Sequence, residues 1–253
     1  MKSSKETRHT PRLFVEGALG AGQSTSVSPD QAHYLQNVMR MQAGDALRLF
    51  NGRDGEWLAS IAAVSKRSVD IKLEKQLRPQ QAAPDLSLCC APIKKAHFDY
   101  MIEKATELGV SVLQPILTSR TQIREVNTER GRGIAIEAAE QSDRLDIPEI
   151  YKPLTLAELA AQWPGSRIPI ICAEWGEALP AQKALASLSG KSQVAIFTGP
   201  EGGFTAEELE ALRKLPQAVF IRLGPRILRA DTAAIAALSL WQGLCGDWQQ
   251  GGL

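Results

Sequence analysis

The spacing of apolar residues along the chain changes character near residue 80. Before that point, short runs with the apolar content of β-strands dominate. They fall at residues 12–15, 46–50, 56–64 and 68–73. Residues 51–55, which carry two glycines, predict a hairpin turn. One helix is predicted over residues 29–39, with Ser28 as its N-cap. Together these elements predict a small β-barrel-like domain over residues 11–78.

Strand-like runs alternate with helical patterns beyond residues 78–84, which have the composition of a linker. Strands are predicted at residues 86–91, 110–117, 168–173, 194–198 and 218–223. Helices are predicted at residues 98–108, at residues 128–142, and from a capping box at Thr205 and Glu208 up to Pro216. Because strand and helix alternate, residues 85–253 predict an α/β domain with a mostly parallel sheet covered on both faces.

The last helical pattern differs from the others because it has no polar face. Asp231 and Thr232 form a natural N-cap, and residues 233–244 are apolar nearly all round. Such a helix is buried either in its own domain or in a subunit interface, and the residues alone favour its own core.

Composition and charge limit the classes of protein to which the chain can belong. Of 253 residues, 44% are hydrophobic and the net charge is +1, which argues against nucleic-acid binding by charge alone. The charge is unevenly distributed: up to Arg78 there are 12 Lys and Arg against 8 Asp and Glu, and beyond it 17 against 20.

No C-x-x-C pair occurs and the three histidines are scattered, so neither a metal site nor a disulfide framework is expected. Residues 1–10 are polar and charged, so we do not expect them to be a secretory signal. No run approaches the roughly 20 apolar residues of a membrane span, so we expect a cytosolic protein.

Two glycine-proline loops carry the candidate chemistry. Residues 198–204 and 223–232 each follow a strand and lead into a helix, where open α/β sheets bind ligands. The first loop lacks the residues of a phosphate loop or a dinucleotide fingerprint. It suits a ligand read by main-chain groups, such as an adenine edge or a ribose, although a plain strand-to-helix turn explains it equally. In the second loop, Arg226 and Arg229 require solvent, a carboxylate or a phosphate-bearing partner. The alternative is a surface ion pair with Glu201 or Asp231.

These two loops resemble motifs of the SPOUT class of RNA methyltransferases. They read TGPEGGFT at residues 198–205 and LGPRILRADTA at residues 223–233. More closely, they are similar to the family that methylates N3 of a uridine in 16S ribosomal RNA. Further matching stretches occur in order at residues 12–15, 104–110, 134–142 and 147–150. The resemblance extends over residues 11–241.

The resemblance implies a PUA-like β-barrel at residues 11–78 and an α/β domain with a trefoil knot at residues 85–253. It implies a homodimer without metal that uses S-adenosylmethionine to modify 16S rRNA of the 30S subunit. The implied cofactor contacts are Ala173, Glu174, Thr198, Gly199, Pro200, Glu201, Gly202, Gly203, Leu223, Gly224, Ile227, Leu228 and Arg229. The implied RNA contacts are Arg12, Lys94, Arg120 and Arg144.

The implied catalytic residues are Arg226, Arg229 and Asp231. We expect Arg229, with Arg226, to stabilise negative charge on the uracil oxygens or to hold a phosphate, because arginine is too basic to accept a proton. Asp231 or Glu201 is then the candidate acceptor for the N3 proton, since no histidine falls within the motifs.

The chain departs from the family pattern in four places. Asp143 replaces a usual glycine, and Ala230 and Asp231 replace a Thr-Glu pair. Residues 94–99 differ from the usual basic and acidic pattern, and the stretch around residues 127–133 is shortened. Two other functions therefore stay open: a knotted methyltransferase acting on ribose 2′-O, and an RNA chaperone or assembly factor without activity.

Overall fold

The computed structural model describes residues 10–65, 68–191 and 193–250. These residues form two compact units that are not simple halves of the sequence. The first unit contains the described residues up to Ala82 together with Ala139–Asp146. The second contains Ala83–Ala138 and the described residues from Ile147 onward.

A five-stranded sheet forms the body of the first unit. Its strands are β1 (Arg12–Phe14), β2 (Ser24–Ser26), β3 (Ala46–Phe50), β4 (Glu56–Val64) and β5 (Val69–Arg78), in the order β1-β3-β4-β5-β2. The pair β1–β3 is parallel and the others are antiparallel. In β5, buried Val69, Ile71 and Leu73 alternate with exposed residues, so one face of the sheet packs on the core.

The predicted helix of the first unit begins where the sequence placed it. Helix α1 (Pro29–His33) starts at the Ser28 capping box and continues as a π-helical turn, Tyr34–Val38. The β-rich character predicted for this part of the chain is confirmed.

A parallel sheet forms the centre of the second unit. Its strands are β6 (Leu86–Cys90), β7 (Val112–Leu117), β8 (Glu149–Ile150), β9 (Leu154–Thr155), β10 (Ile168–Cys172), β11 (Leu179–Pro180), β12 (Val194–Thr198) and β13 (Val219–Arg222). The order is β11-β13-β10-β12-β6-β7-β8, with β9 beside the end of β7. Strands β6 and β12 lie inside the sheet and are buried along their whole length, as expected when helices cover both faces.

Six α-helices accompany this sheet within the described residues, and a 3₁₀ helix (Asp247–Gln250) follows the last of them. The α-helices are α2 (Lys95–Glu107), α3 (Thr128–Gln141), α4 (Leu156–Ala161), α5 (Ala181–Ala186), α6 (Ala206–Arg213) and α7 (Ala230–Leu244). One hydrophobic cluster joins the sheet to α2, α5 and α7, and another joins it to α4 and α6. The predicted α/β fold is therefore confirmed. None of the described helices is long and apolar enough to cross a membrane.

The start of α7 differs from the prediction. Its N-cap is Arg229, and Asp231 lies in the first helical turn instead of capping it. The reason is that the Asp231 carboxylate is engaged elsewhere, by His97 and by the backbone N–H of Thr232. One face of α7, including Leu238 and Trp241, is buried in the core of the second unit, as the residues alone favoured.

Candidate functional site

A cavity of about 550 Å³ lies where β10, β12 and β13 end. Parallel strands bring their carboxyl ends to one edge of the sheet, which is where α/β proteins bind ligands. Three loops line the cavity: the first loop (residues 173–175), the second loop (residues 199–204) and the third loop (residues 223–229). The two sequence motifs and the segment after β10 are thus brought together at one site.

The second loop is tight and is held from outside the cavity. Gly203 has a φ of 66°, and a Cβ on Gly199 would lie 3.3 Å from the Gly203 backbone. These positions favour glycine because a side chain would meet strain in one case and crowding in the other. Arg120 donates a hydrogen bond to the carbonyl of Gly202 and packs its methylenes against that residue. Arg120, expected as an RNA contact, therefore supports the second loop.

Helix α6 fixes the far end of the second loop. Thr205 accepts from the N–H of Glu208 at 3.2 Å, and Glu208 accepts from the N–H of Thr205 at 2.8 Å, which confirms the predicted capping box. The other carboxylate oxygen of Glu208 accepts from the N–H of Ser119 at 2.6 Å. One carboxylate thus joins the segment after β7 to the start of α6.

A buried hydroxyl at the cavity has no partner. Thr198 is 1% exposed, lines the cavity, and its Oγ1 has no hydrogen-bond partner among the described residues. Because leaving a buried polar group unsatisfied costs free energy, such an atom marks a place where a ligand donates or accepts.

The end of β13 and the third loop present arginines that no described residue neutralises. Arg222, Arg226 and Arg229 are exposed, and within the described residues none of them forms a side-chain hydrogen bond or ion pair. The ion pairs with Glu201 or Asp231 that the sequence left open are therefore not formed. Arg222 and Arg226 line the cavity, whereas Arg229 does not.

His97 and Asp231 form a pair that sequence reasoning missed. His97 Nδ1 lies 2.8 Å from Asp231 Oδ2, and the side chains are 45% and 11% exposed. Burial acts to raise the pKa of Asp231, but hydrogen bonds from His97 and Thr232 together lower it below 3.8. A signal was present in the sequence, because residues 94–99 and Asp231 depart from the family pattern together. No histidine lies within the two loop motifs, and it is the fold that brings His97 of α2 to Asp231.

Most of the predicted cofactor contacts line the cavity, although their role remains a prediction. Those that do are Ala173, Glu174, Thr198, Gly199, Pro200, Gly203, Leu223, Gly224, Ile227 and Leu228. Glu201, Gly202 and Arg229 do not. Sequence reasoning missed Trp175 and Arg222, which directly neighbour predicted positions and line the cavity.

A cysteine at the cavity is not poised for covalent chemistry. Cys172 lines the cavity at the end of β10. Burial raises the pKa of its thiol to about 12, so it stays protonated at neutral pH and is a poor nucleophile. Within the parts of the chain that the structure describes, no group of three or more His, Cys, Asp or Glu side chains is placed to hold a metal ion.

The four predicted RNA contacts have different surroundings. Lys94 is exposed immediately before α2. Arg12 is 8% exposed; its Nε lies 2.6 Å from Glu56, and its other nitrogens donate to the carbonyls of Ala139, Glu140 and Arg144. The side chain of Arg144 is 10% exposed and pairs with Asp146 at 2.7 Å. These contacts give Arg12 and Arg144 a structural role and leave their predicted RNA contacts without support.

The chain matches two family profiles in sequence order. Residues 27–74 match the family described as RNA methyltransferase PUA domain. Residues 80–242, more than half of the chain, match the family described as RNA methyltransferase domain.

Similar proteins are found in several bacteria. A ribosomal RNA small subunit methyltransferase E from Rickettsia conorii is 35% identical, over 90% of this chain and 93% of that protein. Another from Synechocystis is 32% identical, over 94% and 79%. The crystal structure of a ribosomal RNA small subunit methyltransferase E from Neisseria gonorrhoeae bound to S-adenosyl methionine has a TM-score of 0.85 and 26% identity, over 95% and 100%. A putative methyltransferase from Legionella pneumophila in complex with SAM has a TM-score of 0.82 and 30% identity, over 94% and 99%.

Proposed function

The chain belongs to the RNA methyltransferase family of the ribosomal RNA small subunit methyltransferase E proteins, and on that basis we propose that it methylates N3 of a uridine in 16S rRNA with S-adenosylmethionine. The parallel α/β sheet and the PUA-like domain agree with that family. The trefoil knot remains a prediction from the resemblance.

The observation that carries the proposal is the cavity of three loops with its unpartnered Thr198 hydroxyl. The cavity volume of about 550 Å³ falls in the range that holds nucleoside-sized ligands. Its walls combine buried apolar side chains, such as Phe204 and Ile221, with the main-chain groups of the second and third loops. Adenosine needs an apolar slot with a few polar partners at its edges, so the residues fit this cofactor.

When bound, S-adenosylmethionine supplies an activated methyl group on a sulfonium. The residues proposed to hold it are Thr198 and the backbone of the second and third loops, and Glu174 offers a carboxylate at the cavity wall. Closing water out of such a cavity and aligning the nucleophile provide much of the rate of a methyl transfer. Burial keeps the thiol of Cys172 protonated at neutral pH, so it is a poor nucleophile for a covalent intermediate.

The arginines of the third loop suit a substrate that becomes negatively charged. Uridine N3 loses a proton before or during attack, and the charge then spreads onto the uracil oxygens. Arg226 and Arg229 are exposed cations that have no side-chain partner among the described residues, so we assign them to stabilising that charge or holding a neighbouring phosphate. Asp231 is a weaker candidate for accepting the proton than the sequence suggested, because its lowered pKa makes it less basic. We assign the His97–Asp231 pair to positioning the start of α7.

The proposal includes a homodimer in the cytosol acting on the 30S subunit. Apolar residues of α7 that its own core leaves partly uncovered, such as Ile235, Leu240 and Leu244, support a subunit contact along this helix. Sedimentation equilibrium at micromolar concentration tests the dimer, and a mass equal to one chain contradicts it.

The decisive experiment is methyl transfer from labelled S-adenosylmethionine to 30S subunits and to free 16S rRNA, both from a strain without this protein. We expect label at one site, recovered as 3-methyluridine by mass spectrometry after nuclease digestion. Label on a ribose would show that the protein is a ribose 2′-O methyltransferase instead. No label together with no cofactor binding would favour an assembly factor. Arg229→Ala is expected to lose methylation while it keeps cofactor affinity.

A further inference from the structure

An aromatic ring stands half-exposed at the mouth of the cavity. Trp175 lines the cavity directly after Glu174 and is 48% exposed. The indole N–H of Trp57 and that of Trp163 each donate to a backbone carbonyl, whereas that of Trp175 has no partner within the described residues. A large apolar surface left open at a cavity, with a free donor at its edge, is a ready contact for a planar ligand.

Trp175 is part of a mixed apolar and cationic rim. The rim consists of Trp175, Ile227, Arg222 and Arg226, all of which line the cavity and are exposed to solvent. Ile227 is 80% exposed, an unusual position for a β-branched apolar side chain on a short loop. RNA is recognised by this combination, in which unpaired bases stack on aromatic rings while arginines meet phosphates.

The proposed reaction requires an unpaired base at this place. Uridine N3–H is the donor of the Watson–Crick edge, so it is blocked while the base is paired. Enzymes that modify such atoms act on bases held out of the stack and grip them between apolar side chains. The deeper cavity wall, with Phe204 and Ile221 buried, suits the adenosyl part of the cofactor. The rim is the part that faces the solvent from which RNA arrives.

We propose that Trp175 is the stacking platform for the unpaired target uracil, with Ile227 as the second apolar contact of the same base. This inference rests on the proposed function and adds to it the site that selects an unpaired base. Trp175 is a substrate-positioning residue in this scheme, and Arg222 and Arg226 hold the flanking backbone. The cofactor site does not depend on the indole ring.

The test compares three substitutions of one residue with a matched control. Trp175→Phe keeps a stacking face, Trp175→Leu keeps apolar bulk without one, and Trp175→Ala removes both. Tyr151→Ala is the control, because Tyr151 is 47% exposed and follows β8, the edge strand on the far side of the sheet from β10, β12 and β13. Each variant is measured for the Kd of S-adenosylmethionine by equilibrium dialysis and for kcat and KM with 30S subunits.

We expect the substitutions to weaken recognition of the RNA substrate and to leave cofactor binding unchanged. Trp175→Ala and Trp175→Leu should raise the KM for 30S subunits by about 5-fold to 150-fold, the range for one lost base stack. Trp175→Phe should have a KM close to that of the wild-type protein, because it keeps a stacking face. The Kd of the cofactor should stay within about twofold in all three variants, since no stack with the cofactor is lost. Tyr151→Ala should match the wild-type protein.

Three results would overturn the inference. A weaker cofactor Kd with an unchanged KM for 30S subunits would assign the ring to the adenine instead. Equal KM values for the Phe and Leu variants would show that bulk matters and stacking does not. Wild-type values throughout would remove Trp175 from the site. Failure of the proposed function is distinct, because then the wild-type protein itself forms no 3-methyluridine.

Discussion

At the scale of single residues, Asp143 shows how a departure from the family pattern is absorbed. Its φ is 60°, a left-handed conformation that explains the usual glycine at this position and that aspartate tolerates better than most residues. Its carboxylate lies 3.3 Å from Arg12 and 3.1 Å from Arg48, beside the buried Glu56. Three arginines, including Arg78, share these two carboxylates, so removing one carboxylate raises the excess of positive charge in the cluster from one to two.

Two substitutions of Asp143 should therefore distinguish how much backbone strain and charge each contribute to the free energy of unfolding. Asp143→Ala is expected to lower the free energy of unfolding by about 2 kcal/mol, because alanine adds left-handed strain and the ion pairs are lost. Asp143→Asn keeps the backbone tolerance and should lose about half as much. Urea unfolding measures both. If the Asn variant equals the wild-type protein, the ion pairs contribute nothing to stability.

The pair of His97 and Asp231 predicts a dependence of stability on pH. Hydrogen bonds from His97 and Thr232 outweigh burial and hold the pKa of Asp231 below its ordinary value of 3.8. A depressed carboxylate pKa stabilises the folded state above the unfolded pKa, and this contribution is lost as the pH falls through the folded pKa. Asp231→Asn should lower stability at pH 7 by about 1 kcal/mol, the net value of one such hydrogen bond.

The stability difference between Asp231→Asn and the wild-type protein should shrink below pH 3.8. Unfolding curves collected from pH 7 down to the acid transition measure it. Thr232→Ala removes only the longer hydroxyl contact with Asp231 at 3.4 Å and keeps the backbone N–H donor, so it should show a smaller difference than Asp231→Asn. A difference that stays constant with pH would show that the Asp231 charge is not the stabilising factor.

At the scale of elements, two helices begin with a capping box made of a threonine and a glutamate, but only one of them adjoins the candidate site. Thr155 and Glu158 cap α4 as Thr205 and Glu208 cap α6. Thr155→Ala and Thr205→Ala should each cost about 0.5–2 kcal/mol in unfolding free energy. Only Thr205→Ala should also weaken S-adenosylmethionine binding, because α6 anchors the second loop. Isothermal titration calorimetry measures the Kd of S-adenosylmethionine for both variants. Equal Kd values would show that the α6 capping box does not contribute to cofactor binding.

Elements were predictable from sequence where the signal is local. Each of the confirmed features involves residues only a few positions apart in the chain. They are the Ser28 and Thr205 caps, the alternation in β5, and the apolar runs of β6 and β12. The contacts of Arg12 with Ala139 and of His97 with Asp231 join residues 127 and 134 positions apart. No local pattern encodes such pairs, so the buried role of Arg12 and the histidine beside the third loop required the fold. Strands of two residues, such as β8 and β11, are likewise set by tertiary pairing.

At the scale of the whole molecule, the boundary of the first unit is not a single cut in the sequence. The segment Ala139–Asp146 belongs to that unit although about sixty residues separate it from Ala82. It supplies the carbonyls of Ala139, Glu140 and Arg144 to Arg12, and Glu140 accepts from the N–H of Phe14 at 2.9 Å. The sequence predicts a boundary at residues 78–84, and residues 139–146 pack with the residues before it as part of the same unit.

A fragment ending at Ala82 should therefore be much less stable than the same unit in the full chain. Without Ala139–Asp146, the guanidinium of Arg12 loses its three carbonyl partners, and an undercompensated buried charge costs about 3–5 kcal/mol. Hydrogen exchange of the amides in β3 and β4 measures this loss of protection in both proteins. Fusing residues 137–147 to the fragment through a flexible linker should restore protection, and the same fusion with Glu140→Ala should restore less, since Phe14 then lacks its acceptor. Equal protection in the fragment and the full chain would mean that the strands before Ala82 fold without the segment, and that its contacts with Arg12 add little to their stability.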